Sequence, residues 1–556
     1  MTTATEETII SLFSQRIKSH GSSPALHVPA PGGFEMRTWQ QLADKVYRLA
    51  GLFVRLGVEP GDRILQISEN REEWIVCDLA IQCVRGVHVP VHSSLTGPQI
   101  AWQIVDSGAR IVCFSTEEQA NKLVEVAEHL PDALRFISYD AETAAIGRCS
   151  VEPLSRATAS VSPAEGKVAE QRAVRETAPD DLSTILYTSG TTGEPKGVML
   201  CQRNLVTNAT AALQVFEQAR DDVRLNFLPL SHIFARTCDL YTWIVSGAEL
   251  ALARSRETVI ADCAAVRPTL LNGVPYFFEK VMRILQDHGQ ADVPGALQHL
   301  FGGRLRFCCS GGAALPDHVF DFFHERGLMI LQGYGLTETS PVITASAPRS
   351  CRRGTVGPAI PGVEIRIAAD GEILTRGPHV MLGYWRNSEA TAEVIRDGWL
   401  YTGDLGEIDD AGLLKITGRK KEILVTSGGK NVAPVLIESL LTADPLILQA
   451  LVVGDGRSYV SALIVPDPDV LDGVLQERKI QTAAGDQRLQ DPQVVALFEE
   501  AIHRRLACVS PYERVRKFCL LPRRFSIEYG ELTPKLSLRR REIEKNFAAE
   551  ITRMYG

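Results

Sequence analysis

The chain of 556 residues is too long for one ordinary domain and long enough for two to four. Hydrophobic residues make up 45% and charged residues 23%, the balance of a globular protein with a large buried core. A formal net charge of −8 and a pI near 5.9 lack the basic excess of nucleic-acid binders, so no nucleic-acid partner is expected. The N-terminus, "MTTATEETIISLFSQRIKSHG", carries acidic residues and breaks its apolar run early, unlike a signal or transit peptide. No apolar stretch approaches the roughly 18 to 20 residues of a membrane helix. The twelve cysteines are scattered, with no C-x-x-C pair, and Cys308-Cys309 lie in an apolar run as buried thiols would. These features predict a cytoplasmic protein with reduced cysteines.

In chain order, Thr38 to Gln41 reads as a capping box, with Leu42, Val46, Leu49, Phe53 and Leu56 following at helical spacing until Gly57. "RILQIS" (63–68) reads as a strand, 72–86 as a helix, "VHVPVH" (87–92) as a strand, 97–108 as a helix and "ARIVCFS" (109–115) as a strand. Strands separated by helices of this length predict βαβ units and a largely parallel sheet. Residues 153–181 lose apolar periodicity and read as an exposed connection. A short strand, "STILYT", then runs into "YTSGTTGEPKGV" (187–198). Beyond 356 the segments shorten, with a hairpin around Asp370-Gly371 and another within 449–465, before a helical, charged end. A boundary near "GRKKE" (418–422) gives two parts, 1–418 and 419–556.

The 187–198 stretch carries the clearest chemistry. Gly190, Gly193 and Gly197 can take conformations closed to other residues, and Thr188, Ser189, Thr191 and Thr192 add hydroxyls. With the charge of Lys196, such a loop can chelate phosphate oxygens. A solvated loop is the plain alternative, but the strand before it and the lysine after it favour phosphate. The common nucleoside-triphosphatase pattern fails, because Pro195 stands where its second glycine belongs. "GYGLTE" (333–338) likewise lacks the third glycine of a dinucleotide fingerprint.

"YTSGTTGEPKGV" resembles the phosphate loop of the AMP-forming, adenylate-forming enzymes: acyl-CoA synthetases, luciferases and peptide-synthetase adenylation domains. The resemblance runs from "TWQQLADKVYRLAGLFVRLGVEPGDRI" to "ELTPKLSLRR" and is strongest to long-chain fatty acyl-CoA synthetases, in "LPLSHIFART" (228–237), "LQGYGLTETSPV" (331–342) and "GRKKEILVTSGGKNVAP" (418–434). It implies an α/β fold: a large N-terminal domain of mixed and parallel sheets sandwiched by helices, a β-barrel-like subdomain, and a small mobile α+β C-terminal domain. It implies ATP with Mg2+, CoA as co-substrate, and a fatty acid, with aromatic acids also compatible.

Residue by residue, Gly311, Gly312 and Ala313 would line adenine, and Tyr334, beside Gly335, would stack on it. As bare sequence, "CCSGGAAL" is equally a tight turn. Thr337 would bond the α-phosphate and Glu338 would bind magnesium, for which one carboxylate plus phosphates suffices. Asp404 and Arg419 would grip the ribose, although a "GD" pair is also an ordinary turn. His232 reads either as a structural histidine or, by the resemblance, as a group at the acyl carboxylate. Tyr276 stands where relatives often carry Arg, so it receives no role. Lys421 matches the hinge, and Gly428-Gly429 would let the pantetheine arm pass.

One departure stands out. Where long-chain relatives read "LTPTLKLKR", this chain reads "LTPKLSLRR", with Ser537 at the usual lysine column and Lys535 two residues earlier. Two residues apart in a strand share a side about 6.5 to 7 Å apart, so Lys535 is expected to supply the ammonium. The expected activity is conversion of a fatty acid to acyl-CoA through acyl-AMP. The alternatives are a ligase that loads a carrier protein and a weak adenylate binder. Peripheral membrane contact is compatible with lipid handling, and the sequence selects no oligomeric state.

Overall fold

The structure, a computed structural model, describes residues 6–188, 195–483, 485–526, 528–532 and 538–556. The chain divides into two compact units. The first comprises 1–366, 374–402 and 409–414, and the second 367–373, 403–408 and 415–556.

Two sheets and the helices between them dominate the first unit. An eight-stranded sheet orders its strands 342–345, 329–335, 307–310, 270–273, 223–226, 249–252, 24–30 and 33–38. A nine-stranded sheet carries the predicted strands Arg63–Ile67, Val87–Val91 and Ile111–Phe114 in parallel register. The largest core joins Leu26, Leu250 and Leu252 of the first sheet to Ile64, Ile111, Leu186 and Val198 of the second through intervening helices. One of these is Trp39–Arg55, where the capping box forms: Thr38 Oγ1 accepts from Gln41 N at 3.2 Å and Gln41 Oε1 accepts from Thr38 N at 2.9 Å. Leu42, Val46, Leu49 and Phe53 are buried on it, as their spacing predicts. Another is Glu72–Cys83, buried on nearly all sides, which accounts for its almost continuous apolar run. A five-stranded sheet is built from strands between residues 364 and 419.

The reading of 153–181 as a bare connection is corrected. This stretch holds two helices, Leu154–Ala159 and Pro163–Glu176. Ser162 caps the second, and its backbone N–H donates to Glu165 Oε1 at 3.1 Å. Its buried side is Gly166, Glu170 and Ala173, not large apolar residues. A Cβ at Gly166 would lie 1.9 Å from the Tyr47 carbonyl oxygen, so this helix packs almost backbone to backbone on Trp39–Arg55. A helix that docks through small residues carries no apolar stripe, and the periodicity on which the reading relied is absent.

A fully buried ionic network ties four segments of the first unit together. Arg236 Nη2 donates to Asp78 Oδ1 at 2.5 Å, and Arg236 Nη1 donates to Thr184 Oγ1 at 2.8 Å. His88 Nδ1 lies 2.8 Å from Asp78 Oδ1, and the Tyr241 hydroxyl donates to Asp78 Oδ2 at 3.2 Å. The guanidinium also faces the rings of Trp74 and Tyr241. Asp78 stays ionised, because Arg236 and His88 outweigh the cost of its burial. Burial beside Arg236 depresses His88 to about 4, so it is neutral.

In the second unit, Ile447–Val453 pairs antiparallel with Ser461–Pro466, which pairs parallel with Lys517–Leu520. Alternation places Ala450 and Val452 in one core and Leu451 and Val453 in another. Helices Pro434–Thr442 and Pro492–Arg505 cover the first face, and the closing helices Arg540–Asn546 and Ala548–Tyr555 cover the second. The expected hairpin at Asp370-Gly371 is present, with Gly371 N donating to the Ala368 carbonyl at 2.9 Å and Gly371 at φ 84°. Among the described residues, no helix is long and apolar enough to cross a membrane.

Candidate active site

The glycine-rich loop is gripped at its two ends. Leu182–Thr188 and Lys196–Cys201 pair antiparallel, with Thr188 opposite Lys196, and Thr188 Oγ1 donates to the Lys196 carbonyl at 3.5 Å. Tyr187 is pinned from the side, its hydroxyl donating to Asp106 Oδ2 at 2.5 Å. Gly197 has no room for a side chain: a Cβ there would sit 2.8 Å from Ile185 and 3.1 Å from Tyr187. Ser189, Gly190, Thr191, Thr192 and Gly193, expected to cradle phosphate, lie outside the described residues. The Lys196 ammonium stands 5.0 Å from the centre of the Tyr384 ring.

Thr337 and Glu338 are half-buried in the short helical turn that follows strand Met329–Gly335. Its shape is set by Thr339, whose hydroxyl accepts from Leu336 N at 2.8 Å and donates to the Pro341 carbonyl at 2.6 Å. Ser340, in the left-handed region at φ 70°, donates through Oγ to the His379 carbonyl at 2.9 Å. Asn208 Nδ2 donates to the Val342 carbonyl at 2.8 Å, fixing the turn to helix Gln202–Phe216. Gly335 is obligatory here, because a Cβ would fall 1.7 Å from the Pro341 oxygen. The Glu338 carboxylate accepts a hydrogen bond from the Tyr384 hydroxyl, Oη to Oε1 at 2.9 Å.

Gly311, Gly312 and Ala313 leave strand Phe307–Ser310 next to the strand that carries Tyr334, since Ser310 pairs in register with Gln332. Both segments depart from the carboxyl ends of parallel strands, where open α/β sheets place their ligands. Gly312 (φ 82°) and Ala313 are exposed, and Tyr334 is half-buried. Gly311 is buried, and a Cβ there would meet the Phe234 ring at 3.2 Å. Packing against Phe234 therefore already explains its smallness.

His232 caps the short helix Ile233–Ala235, its Nδ1 accepting from Phe234 N at 3.2 Å. Its ring stacks at 6.3 Å on His92, whose Nδ1 is 2.8 Å from Ser231 Oγ. The structure thus gives His232 a local architectural task at the start of the segment that carries Arg236.

In the second unit, Asp404 is buried and its Oδ1 lies 3.0 Å from Arg419 Nε. Beside it, Lys420 binds Asp370 at 2.7 Å and Glu372 at 2.8 Å, while Glu372 also accepts from Gly403 N at 2.9 Å. Lys421 is exposed in the following helical turn. Gly428 and Gly429 form the exposed tip between Leu424–Val425 and Asn431–Val432, with Gly429 at φ 72° and its N–H on the Thr426 carbonyl at 2.8 Å. Lys535 and Ser537 lie outside the described residues.

Sequence reading passed over Tyr384 and Asp106. "GYW" (383–385) carries no periodicity and no charge, and only its pairing with the Lys196 strand brings it to the site. All twelve cysteines are free, and burial pushes the Cys308 thiol well up and that of Cys309 to about 12, as inert core thiols.

Residues 13–385 match the model of the AMP-binding enzyme family, and 421–556 match the AMP-binding enzyme C-terminal domain. The long-chain-fatty-acid–CoA ligase FadD15 of Mycobacterium bovis is 37% identical over 93% of this chain and 92% of its own length. Long-chain-fatty-acid–CoA ligase 5 of Rattus norvegicus is 28% identical over 99% of this chain and 88% of its own. Among solved structures, the anthranilate CoA ligase AuaEII in complex with anthranoyl-AMP superposes with a TM-score of 0.80 at 18% identity, covering 98% of both chains. ATP-bound MatB from Rhodopseudomonas palustris superposes with a TM-score of 0.75 at 25% identity, over 97% of this chain and 99% of MatB. With both of its parts matched in order, this chain belongs to the AMP-binding enzyme family.

Proposed function

We propose that the protein converts a long-chain fatty acid to its CoA thioester in two steps, through acyl-AMP. The observation that carries this reading is end-to-end similarity, at 37% identity, to a protein named as a long-chain-fatty-acid–CoA ligase. In the first step a fatty-acid carboxylate oxygen bonds to the α-phosphorus of ATP and pyrophosphate leaves. In the second, the CoA sulfur bonds to the acyl carbonyl carbon and AMP leaves.

The chain's own residues supply charge and donors for the first step. Lys196 faces the phosphates, with the loop from Thr188 to Gly193 wrapping them. Thr337 donates to the α-phosphate, and Gly311, Gly312, Ala313, Tyr334 and Gly335 surround adenine. His232 is assigned to the acyl carboxylate. Asp404 and Arg419 take the ribose hydroxyls, already held together at 3.0 Å. Residues 1–418 and 419–556 act as two domains hinged at Lys421, and Gly428 and Gly429 give CoA a slim passage.

The chain's donors fit magnesium. Glu338 is a hard oxygen ligand fixed by Tyr384, and the described residues hold no cluster of three or more His, Cys, Asp or Glu that would bind a metal without substrate. Magnesium is commonly held this way, by one or two carboxylates together with phosphates. When bound, the ion neutralises charge on the leaving pyrophosphate.

Incubation with ATP, Mg2+, palmitate and CoA, read by mass spectrometry, is expected to give palmitoyl-CoA. Absence of product with palmitate and with shorter and unsaturated acids contradicts the reading. Lys535, two positions before the serine that replaces the usual lysine, is assigned to the first step only. Lys535→Ala is expected to slow pyrophosphate release about 10²-fold, the effect of losing one electrostatic donor, while leaving conversion of supplied palmitoyl-AMP intact. Pyrophosphate release at the wild-type rate would remove Lys535 from the mechanism.

A further inference from the structure

Segment 381–385 is stitched to both charged stations of the site. Leu382 N donates to the Met199 carbonyl at 3.0 Å and Trp385 N to the Gly197 carbonyl at 2.7 Å, along the strand that begins with Lys196. Met381 N donates to the Glu338 carbonyl at 2.9 Å. Between these anchors Tyr384, 7% exposed, pairs in register with Val198, and its N–H donates to Thr391 Oγ1 at 2.9 Å. Gly383 makes the bend possible: it sits at φ 139°, and a Cβ there would lie 2.8 Å from Thr391 Cγ2. One side chain thus touches both charges, its ring facing the Lys196 ammonium at 5.0 Å and its hydroxyl on Glu338 Oε1 at 2.9 Å.

We propose that Tyr384 is a positioning residue that keeps Lys196 and Glu338 oriented toward the nucleotide and its metal ion instead of toward each other. A lysine and a glutamate so near a common partner would gain from pairing directly, and such a pair would spend both charges before ATP arrived. The tyrosine gives each a weaker substitute. A ring face attracts an ammonium without neutralising it, so Lys196 keeps its full charge for phosphate. A phenol donates one hydrogen to one carboxylate oxygen and leaves Oε2 available to a cation. This role rests on the nucleotide and metal assignments of Lys196 and Glu338 made above, but not on the identity of the acid.

Two substitutions separate the contacts. Tyr384→Phe keeps the ring and loses the hydroxyl, whereas Tyr384→Leu loses both. The readout is Mn2+ affinity in the presence of ATP, by electron paramagnetic resonance, with ATP affinity by calorimetry and no fatty acid present. Tyr384→Phe is expected to weaken Mn2+ binding about tenfold while ATP affinity stays within about twofold, the usual cost of freeing a metal ligand from its support. Tyr384→Leu is expected to weaken ATP binding as well. In a Glu338→Gln background, Tyr384→Phe should cost no further Mn2+ affinity. A folded Tyr384→Phe protein with wild-type Mn2+ affinity, or losses that add in the double variant, overturns the proposal. If the Phe variant does not fold, 3-fluorotyrosine at 384 keeps the shape and makes the hydroxyl a stronger donor. An unchanged Mn2+ affinity there also overturns it. Because no acid enters these measurements, failure of the fatty-acid reading appears separately, as ATP and Mn2+ binding without acyl product.

Discussion

Glu338→Gln is expected to slow acyl-AMP formation about 10³-fold at saturating ATP, toward the upper end of what one electrostatic group supplies. The substitution preserves size and an amide oxygen that can still accept from Tyr384, so the 2.9 Å contact and the turn built on Thr339 should survive. What disappears is the negative charge. An amide is a poor substitute ligand for magnesium, which prefers charged oxygens and dehydrates reluctantly. The loss should therefore fall on kcat and on the Mg2+ requirement, with an unchanged melting temperature. Pre-steady-state pyrophosphate release across a Mg2+ titration checks this. A wild-type rate at every Mg2+ concentration would remove Glu338 from the metal site.

Arg236→Met is expected to destabilise the first unit by about 3 to 5 kcal/mol, the cost of leaving one partner of a buried pair uncompensated. Arg236 and Asp78 are both 0% exposed, so water cannot replace the lost guanidinium. Asp78 would retain only His88 and the Tyr241 hydroxyl, and its carboxyl would move upward in pKa. The double variant Arg236→Met/Asp78→Leu should recover much of the loss, since removing both charges is far cheaper than stranding one. Denaturant unfolding of the single and double variants measures it. Equal losses in both would contradict the pairing.

The wild-type network also sets a pH dependence. His88, depressed to about 4, stays neutral when folded but takes up a proton on unfolding below about 6.5. Asp78, depressed by Arg236, stays ionised when folded but becomes protonated on unfolding in acid. In both cases the unfolded chain binds more protons, so stability falls as pH drops, first from about 6.5 toward 4 through His88 and then below about 3.8 through Asp78.

Legibility in the sequence followed the range of the interaction. The capping box at Thr38, the strands of the nine-stranded sheet and the hairpin at Asp370-Gly371 depend on neighbours a few residues away, and the structure has them where spacing put them. Helix Pro163–Glu176 escaped notice because it docks through Gly166 and Ala173, which leave no apolar signature. The network of Asp78, His88 and Arg236 joins residues far apart in sequence, and an arginine in "LPLSHIFART" gives no local hint of complete burial. Tyr384 escaped for the same reason. The second unit gathers 367–373 and 403–408 with 415–556, a discontinuous set held in part by Lys420 on Asp370 and Glu372.

Acyl-AMP is expected to form as a distinct intermediate before CoA is used. Palmitate-dependent exchange of radiolabelled pyrophosphate into ATP, with CoA omitted, reads that step alone. The two-step account predicts rapid exchange that requires both palmitate and Mg2+. Palmitoyl-CoA synthesis without any exchange in the absence of CoA would contradict it.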